Sequence, residues 1–230
     1  MAQSNVYSLN VVGYINLTVP AGYSLVTAQL QGSDTSLAGV LGTNVPSSQI
    51  SVVKWNPATQ SLDSNPPTFY NAADLAGTGL NPGWYTLTGA STSTISLGES
   101  FFILNSGTST TLTLVGQVSQ ATNTVTFVPG YTFIGVPVPV ASDITTNGTL
   151  QLPLNDQLSY QFFSAATSTY GDSYNYYNAA DLAGTGLNPG FYDTTSGSST
   201  PAAVIPAVGQ GFLVLNSGAS TTWKPSFTVQ

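Results

Sequence analysis

The sequence predicts an all-β protein made of two tandem homologous β-sandwich or barrel-like domains, each with one short helical connector. Three observations predict it. The string YNAADLAGTGLNPG runs from Tyr70 to Gly83 and recurs letter for letter from Tyr177 to Gly190, a spacing close to half the 230-residue chain. Such a repeat means two units of one kind. Short β-branched and aromatic runs are punctuated throughout by Gly, Pro, Asn and Ser, the pattern of sandwiches and barrels. Hydrophobic residues make up 41% of the chain, with 10 Phe, 12 Tyr and 3 Trp, enough for packed cores rather than disorder. The expected organisation is an N-terminal strand segment over 1–18, a first β domain over 19–118 and a second over 119–230.

The elements follow in order. Val11-Val12, Tyr14-Ile15 and Leu17-Thr18-Val19 read as an opening strand. Pro20-Ala21-Gly22 turns the chain, and residues 23–30 alternate as a half-buried strand does. Residues 50–55, 100–105, 110–118, 123–128 and 211–216 follow the same pattern, and Asn105-Ser106-Gly107 and Asn216-Ser217-Gly218 read as hairpin turns. In the repeated block, Asn71 caps a helical turn or two and Asp74 sits at its third position, where a carboxylate suits the dipole. Gly77 ends the connector, and Asn81-Pro82-Gly83 turns into Trp84-Tyr85. Asn178, Asp181, Gly184 and Asn188-Pro189-Gly190 repeat that logic.

Other segments correspond between the halves. Pro20-Ala21-Gly22-Tyr23 answers Pro129-Gly130-Tyr131, and Val53-Lys54-Trp55 answers Tyr160-Gln161-Phe162. GESFFILNSG from Gly98 answers GQGFLVLNSG from Gly209, so Glu99 is replaced by Gln210 and is not expected to be indispensable. The opening segment 10–15 also resembles 113–118, which closes the first copy. It therefore reads as the last strand of a missing preceding copy, unpaired in its own chain and free to pair with another molecule. The expected assembly strand comprises Val6, Tyr7, Leu9, Val11, Val12, Tyr14, Ile15 and Leu17, with Val11, Tyr14 and Ile15 buried on pairing. A head-to-tail contact of this kind propagates into a filament unless it closes as a ring.

Charge narrows the partners. Lys54 and Lys224 are the only basic side chains, net charge is −7, and charged residues are 5% of the chain. Nucleic acid is excluded as a partner, because its phosphates need several cations. No apolar run reaches the length of a membrane span. The scarcity of Lys and Glu beside abundant Thr, Ser and Asn reads as a secreted or cell-surface protein. MAQSNVYSLN has neither a basic nor an apolar leader region, and the expectation is a leader already removed.

With no His and no Cys, most acid–base, nucleophilic and transition-metal arrangements are ruled out, and no G-x-S-x-G elbow occurs. The chain is expected to be no enzyme and to need no cofactor. Asn71, Asp74, Asn178 and Asp181 are read as caps; calcium, the weaker alternative, wants six to eight oxygens and several carboxylates. Trp84, Tyr85, Tyr174, Tyr176, Tyr177 and Tyr192 form a candidate aromatic surface for polysaccharide, against the commoner reading of strand aromatics as core. Asn16-Leu17-Thr18 and Asn147-Gly148-Thr149 fit the N-glycosylation pattern.

NVVGYINLTVPAGYSLV, a central KW, and GESFFILNSG followed by TLTLVGQV together resemble a family of secreted β-rich proteins of environmental Gram-negative bacteria. The family shows a VVGYxN opening strand, a PAG turn and a G-E-x-F-F-x-x-N hairpin. The resemblance covers nearly the whole chain and implies a location outside the cytoplasm, with no activity attached. The function expected is a structural protein that assembles head-to-tail by strand pairing between subunits. The alternative is a monomeric carbohydrate-binding or adhesive surface module using exposed Trp and Tyr.

Overall fold

The computed structural model describes residues 11–42, 45, 49–146 and 148–228. In the first half these form β1 (Val12–Val19), β2 (Gly22–Thr27), α1 (Leu37–Leu41), β3 (Ile50–Val53), β4 (Trp55–Asn56), β5 (Ser61–Leu62), β6 (Thr68–Tyr70), β7 (Gly83–Thr86), β8 (Gly89–Ala90), β9 (Ser100–Asn105) and β10 (Thr110–Gln117). The second half contributes β11 (Val125–Phe127), β12 (Gly130–Gly135), β13 (Leu158–Ser164), β14 (Thr169–Tyr177), β15 (Gly190–Asp193), β16 (Gly211–Asn216) and β17 (Thr221–Trp223). The protein is all-β, and every strand pairing is antiparallel.

Strand order repeats between the halves. One sheet runs β2-β9-β3-β6-β7-β8 and the other β12-β16-β13-β14-β15, so a late strand returns between the first two in each. Each half also has a separate ribbon, β1-β10 in one and β11-β17 in the other. Strand periodicity then builds layers. Along β9, Phe101 and Ile103 face a core shared with Ile15, Leu17, Leu112 and Leu114 of the first ribbon. Phe102, on the opposite face, packs with Leu25, Val53, Phe133 and Leu213, where the two sheets meet. In the second half Phe212 and Val214 turn to Phe127 and Trp223 of the other ribbon. The stacking order is ribbon, sheet, sheet, ribbon. Burying each such Leu or Phe side chain contributes about 1.5–3 kcal/mol, so all three cores hold the layers together.

A buried Asn explains the repeated LNSG. Asn105 Nδ2 donates to the carbonyls of Val19 (3.1 Å) and Thr108 (2.7 Å), while its Oδ1 accepts from Gly107 N at 2.9 Å. Asn216 makes the same bonds to Phe127, Ala219 and Gly218. Each therefore ties its ribbon to the hairpin that follows the central strand.

Four expectations are corrected. The segment expected as unpaired is paired within the chain: β1 lies against β10 in register from Val12↔Gln117 to Val19↔Thr110. The resemblance between 10–15 and 113–118 reflects two facing strands, Gly13 opposite Gly116 and Ile15 opposite Leu114. The repeated block is a run of turns rather than a helix. Among the described residues the helix is α1, capped by Ser36 and covering the first core with Leu37 and Leu41. Finally, β3 pairs Val53 with Phe102 and β13 pairs Gln161 with Leu213, so Trp55 corresponds to Phe163 rather than Phe162. The connection from Val53 to Tyr70 is one residue longer than that from Gln161 to Tyr177, which produces the slip.

Candidate functional site

All nine carboxylates already have work. Asp34, Asp63, Asp143 and Asp193 each accept the backbone N–H two residues on, from Ser36, Asn65, Thr145 and Thr195, at 2.8–2.9 Å. These are Asx turns, in which a side chain replaces a main-chain bond. Asp74 Oδ2 accepts from Asn71 N at 2.8 Å, and Asn71 Oδ1 accepts from the backbone of Ala73 and Asp74, a reciprocal cap. Asn178 and Asp181 do the same. Asp156 accepts from Asn178 Nδ2 at 2.8 Å, and Asp172 from the Tyr174 hydroxyl at 3.4 Å. Glu99 accepts from Ser96 N at 2.9 Å and pairs with Lys54 at 2.8 Å. In the second half Gln210 Oε1 takes the same capping role, accepting from Ala207 N at 2.9 Å.

The electrostatics follow these bonds. The Ser36 backbone N–H lowers the Asp34 carboxyl, and hydrogen bonds from Ser196 lower Asp193. At Asp143 burial pushes upward, but the bonds from Thr145, Thr146 and Val204 N outweigh it and the net shift is down. Among the described residues, no three His, Cys, Asp or Glu side chains gather as a metal site. Among the described residues, no helix is long and apolar enough to cross a membrane.

The expected aromatic surface is dispersed. Trp84 and Tyr192 are buried, Trp84 packing edge-on to Phe69 in the first core, which corrects their expected exposure. Tyr85, Tyr174, Tyr176 and Tyr177 are half-buried. Tyr85 and Tyr192 instead tie down the repeated blocks, their hydroxyls donating to the carbonyls of Asn81 (2.7 Å) and Asn188 (2.6 Å). Of the assembly strand, Ile15 and Leu17 are buried in the chain's own core and Val11 is half-buried. Tyr14, expected to be buried on pairing with another molecule, is 74% exposed in this chain, and Val12 is exposed beside it. Val6, Tyr7 and Leu9 lie outside the described residues, as does Asn147. Asn16 is exposed and accepts a bond from Thr113 Oγ1 at 2.8 Å.

Two clefts open where the halves meet, and sequence reasoning found neither. One, of about 720 Å³, is walled by Asn16, Leu17 and Thr18 of β1, Ser24 and Leu25 of β2, Phe163, and Gly209-Gln210. The other, of about 410 Å³, is walled by Thr124, Val125 and Thr126, Thr132 and Phe133 of β12, Trp55, and Gly98-Glu99. Each wall of one has its counterpart in the other. Backbone bonds of the same kind close both: Thr27 N to Gly209 O (2.9 Å) and Gly135 N to Gly98 O (3.0 Å). Trp55 stacks on Phe133 with centroids 5.1 Å apart, and its Nε1 donates to Tyr131 O at 2.8 Å. The sequence signal for this site was the paired positions of Trp55 and Phe163, hidden by the one-residue difference between the two connections. No protein-family model, curated protein or solved structure matches the chain.

Proposed function

We propose that this chain is a non-enzymatic structural protein of the extracellular space that self-associates head-to-tail by β-strand pairing, through its outer ribbons. The observation that carries this reading is the β1-β10 ribbon. Its inner face is buried, while its outer face sets Tyr14 directly across from Val115, 74% and 59% exposed, with Val12 beside them at 67%. Among the described residues β1 has a ladder with β10 alone, which leaves its other edge as a template for a further strand.

The layering supports a head-to-tail contact. Both outer layers are two-stranded ribbons, so ribbon against ribbon continues the stack from one chain to the next. Because residues 12–19 are committed to their own core, the open edge and outer face do the pairing, and the strand itself is not handed over. The engagement of every carboxylate in turns and pairs supports a chain built for shape rather than proton transfer. The secreted location rests on composition and on the resemblance.

Light scattering and negative-stain electron microscopy of the parent and Tyr14→Asp test the reading. The parent is expected to form filaments or large oligomers, and Tyr14→Asp to remain monomeric with an unchanged melting temperature. A parent that stays monomeric at every concentration overturns it.

A further inference from the structure

We propose that the Trp55 cleft between the halves is a binding site for a neutral oligosaccharide. The cleft is lined by Thr132 and Ser100, whose hydroxyls lie beneath its surface, shut off from solvent and with no hydrogen-bond partner among the described residues. Ser100 is only 2% exposed. Buried hydroxyls are rarely left this way, because the unmade bond is costly. The same defect recurs in the companion cleft, where Ser24 occupies the position of Thr132, is 6% exposed and is equally unpartnered. A ligand reaches such a donor when the side chain turns outward about its Cα–Cβ bond, and an unmet donor kept at matching places in two clefts is a group that a ligand then satisfies.

The rest of the wall selects the ligand class. Half-buried Trp55, with Pro57 and Phe133, supplies the aromatic and apolar surface on which the C–H face of a pyranose ring packs. Glu99, the charged residue on this wall, is neutralised by Lys54 at 2.8 Å. An ionic ligand therefore meets no free counter-charge, whereas sugar hydroxyls meet hydroxyls and a ring. The volume of about 410 Å³ lies within the range of small-ligand clefts.

Trp55 also reports on the site. Trp84 and Trp223 are 5% and 2% exposed, deep in the two cores, so an indole response to a sugar arises at Trp55. The experiment is a tryptophan-fluorescence titration of the full chain with cellohexaose, xylohexaose and laminarihexaose, carried to millimolar concentration. The expected result is a saturable change with at least one of them, abolished in Trp55→Phe. Thr132→Val keeps the branched shape and removes only the hydroxyl, and is expected to weaken binding about tenfold at an unchanged melting temperature. If Thr132→Val melts lower, Ser100→Ala serves as the comparison. No response to any of the three sugars, a response that survives Trp55→Phe, or an affinity untouched by loss of the hydroxyl overturns the proposal.

Discussion

Thr27 and Gly135 hold the same place in the two halves, and the side chain of the first fills the space that the second leaves empty. A Cβ built on Gly135 would stand 2.6 Å from the Cβ of Thr27. Their strand partners repeat the relationship: Thr27 pairs with Ser100 and Gly135 with Gly211, and a Cβ on Gly211 would stand 2.5 Å from Ser100 Oγ. Close to a local two-fold axis, equivalent residues face one another and cannot both carry side chains. The halves have divided the space, one keeping Thr and Ser and the other Gly, so their contact fits each half to the other and not to a copy of itself.

Exchanging the pair tests this directly. Gly135→Thr alone forces a side chain into occupied space and is expected to cost about 3 kcal/mol in urea denaturation. Neither Gly135 nor Gly211 has a positive φ, so the cost is packing and not backbone strain. Adding Thr27→Gly to Gly135→Thr is expected to recover more than half of the loss. Additive losses in the double variant would show that the two positions do not share one space.

Glu99 offers a graded test of the repeated turn. Glu99→Gln keeps the bond to Ser96 N, as Gln210 keeps its bond to Ala207 N, and loses only the partly exposed pair with Lys54. The expected cost is below about 1 kcal/mol. Glu99→Ala loses the cap as well and is expected to cost about 1 kcal/mol more. Equal losses for both variants, read from thermal melts, would assign the whole effect to the ion pair.

What was legible in the sequence was local. Alternation placed the strands, and the verbatim block pointed to halves whose sheets share one strand order. Caps at Asn71-Asp74 and Asn178-Asp181 could be read because they depend on neighbours three residues away. What escaped depends on distant packing. Trp84, named in the candidate aromatic surface, is buried by Phe69, its cross-strand partner. The match of Trp55 to Phe163 was hidden by a one-residue difference in the connection that leads to the repeated block, and with it the clefts, whose walls come from opposite halves. The kinship of 10–15 and 113–118 was visible, but nothing in the sequence says that these two segments are each other's partners.

Acid unfolding is expected to follow the Asx turns. The carboxyls of Asp34, Asp143 and Asp193 are lowered in the folded protein, so the native state binds fewer protons than the unfolded chain near the ordinary Asp value. That stability is complete above about pH 4 and is lost as pH falls through the folded values. With no His in the chain, stability is expected to stay flat from about pH 5 to 8 and to drop only below about pH 4. Asp143→Asn is expected to shallow the acid limb in urea midpoints taken across pH. A parent whose midpoint already falls between pH 7 and 5 would contradict the assignment.

Tyr160 tests the opposite limb. It is fully buried at the centre of the second core, packed edge-on to Phe191, and its hydroxyl has no partner among the described residues. Burial pushes the phenol well above its ordinary value. Folding thus favours the neutral form, and the stability it brings is complete below about pH 10 and lost as pH rises through the folded value. Phe keeps the ring and removes both the unpartnered hydroxyl and this titration. Tyr160→Phe is therefore expected to be as stable as the parent at neutral pH, or more stable by up to about 1 kcal/mol, and to lose stability less steeply above about pH 10. A loss greater than about 1 kcal/mol at neutral pH would mean that the hydroxyl is bonded in the folded protein.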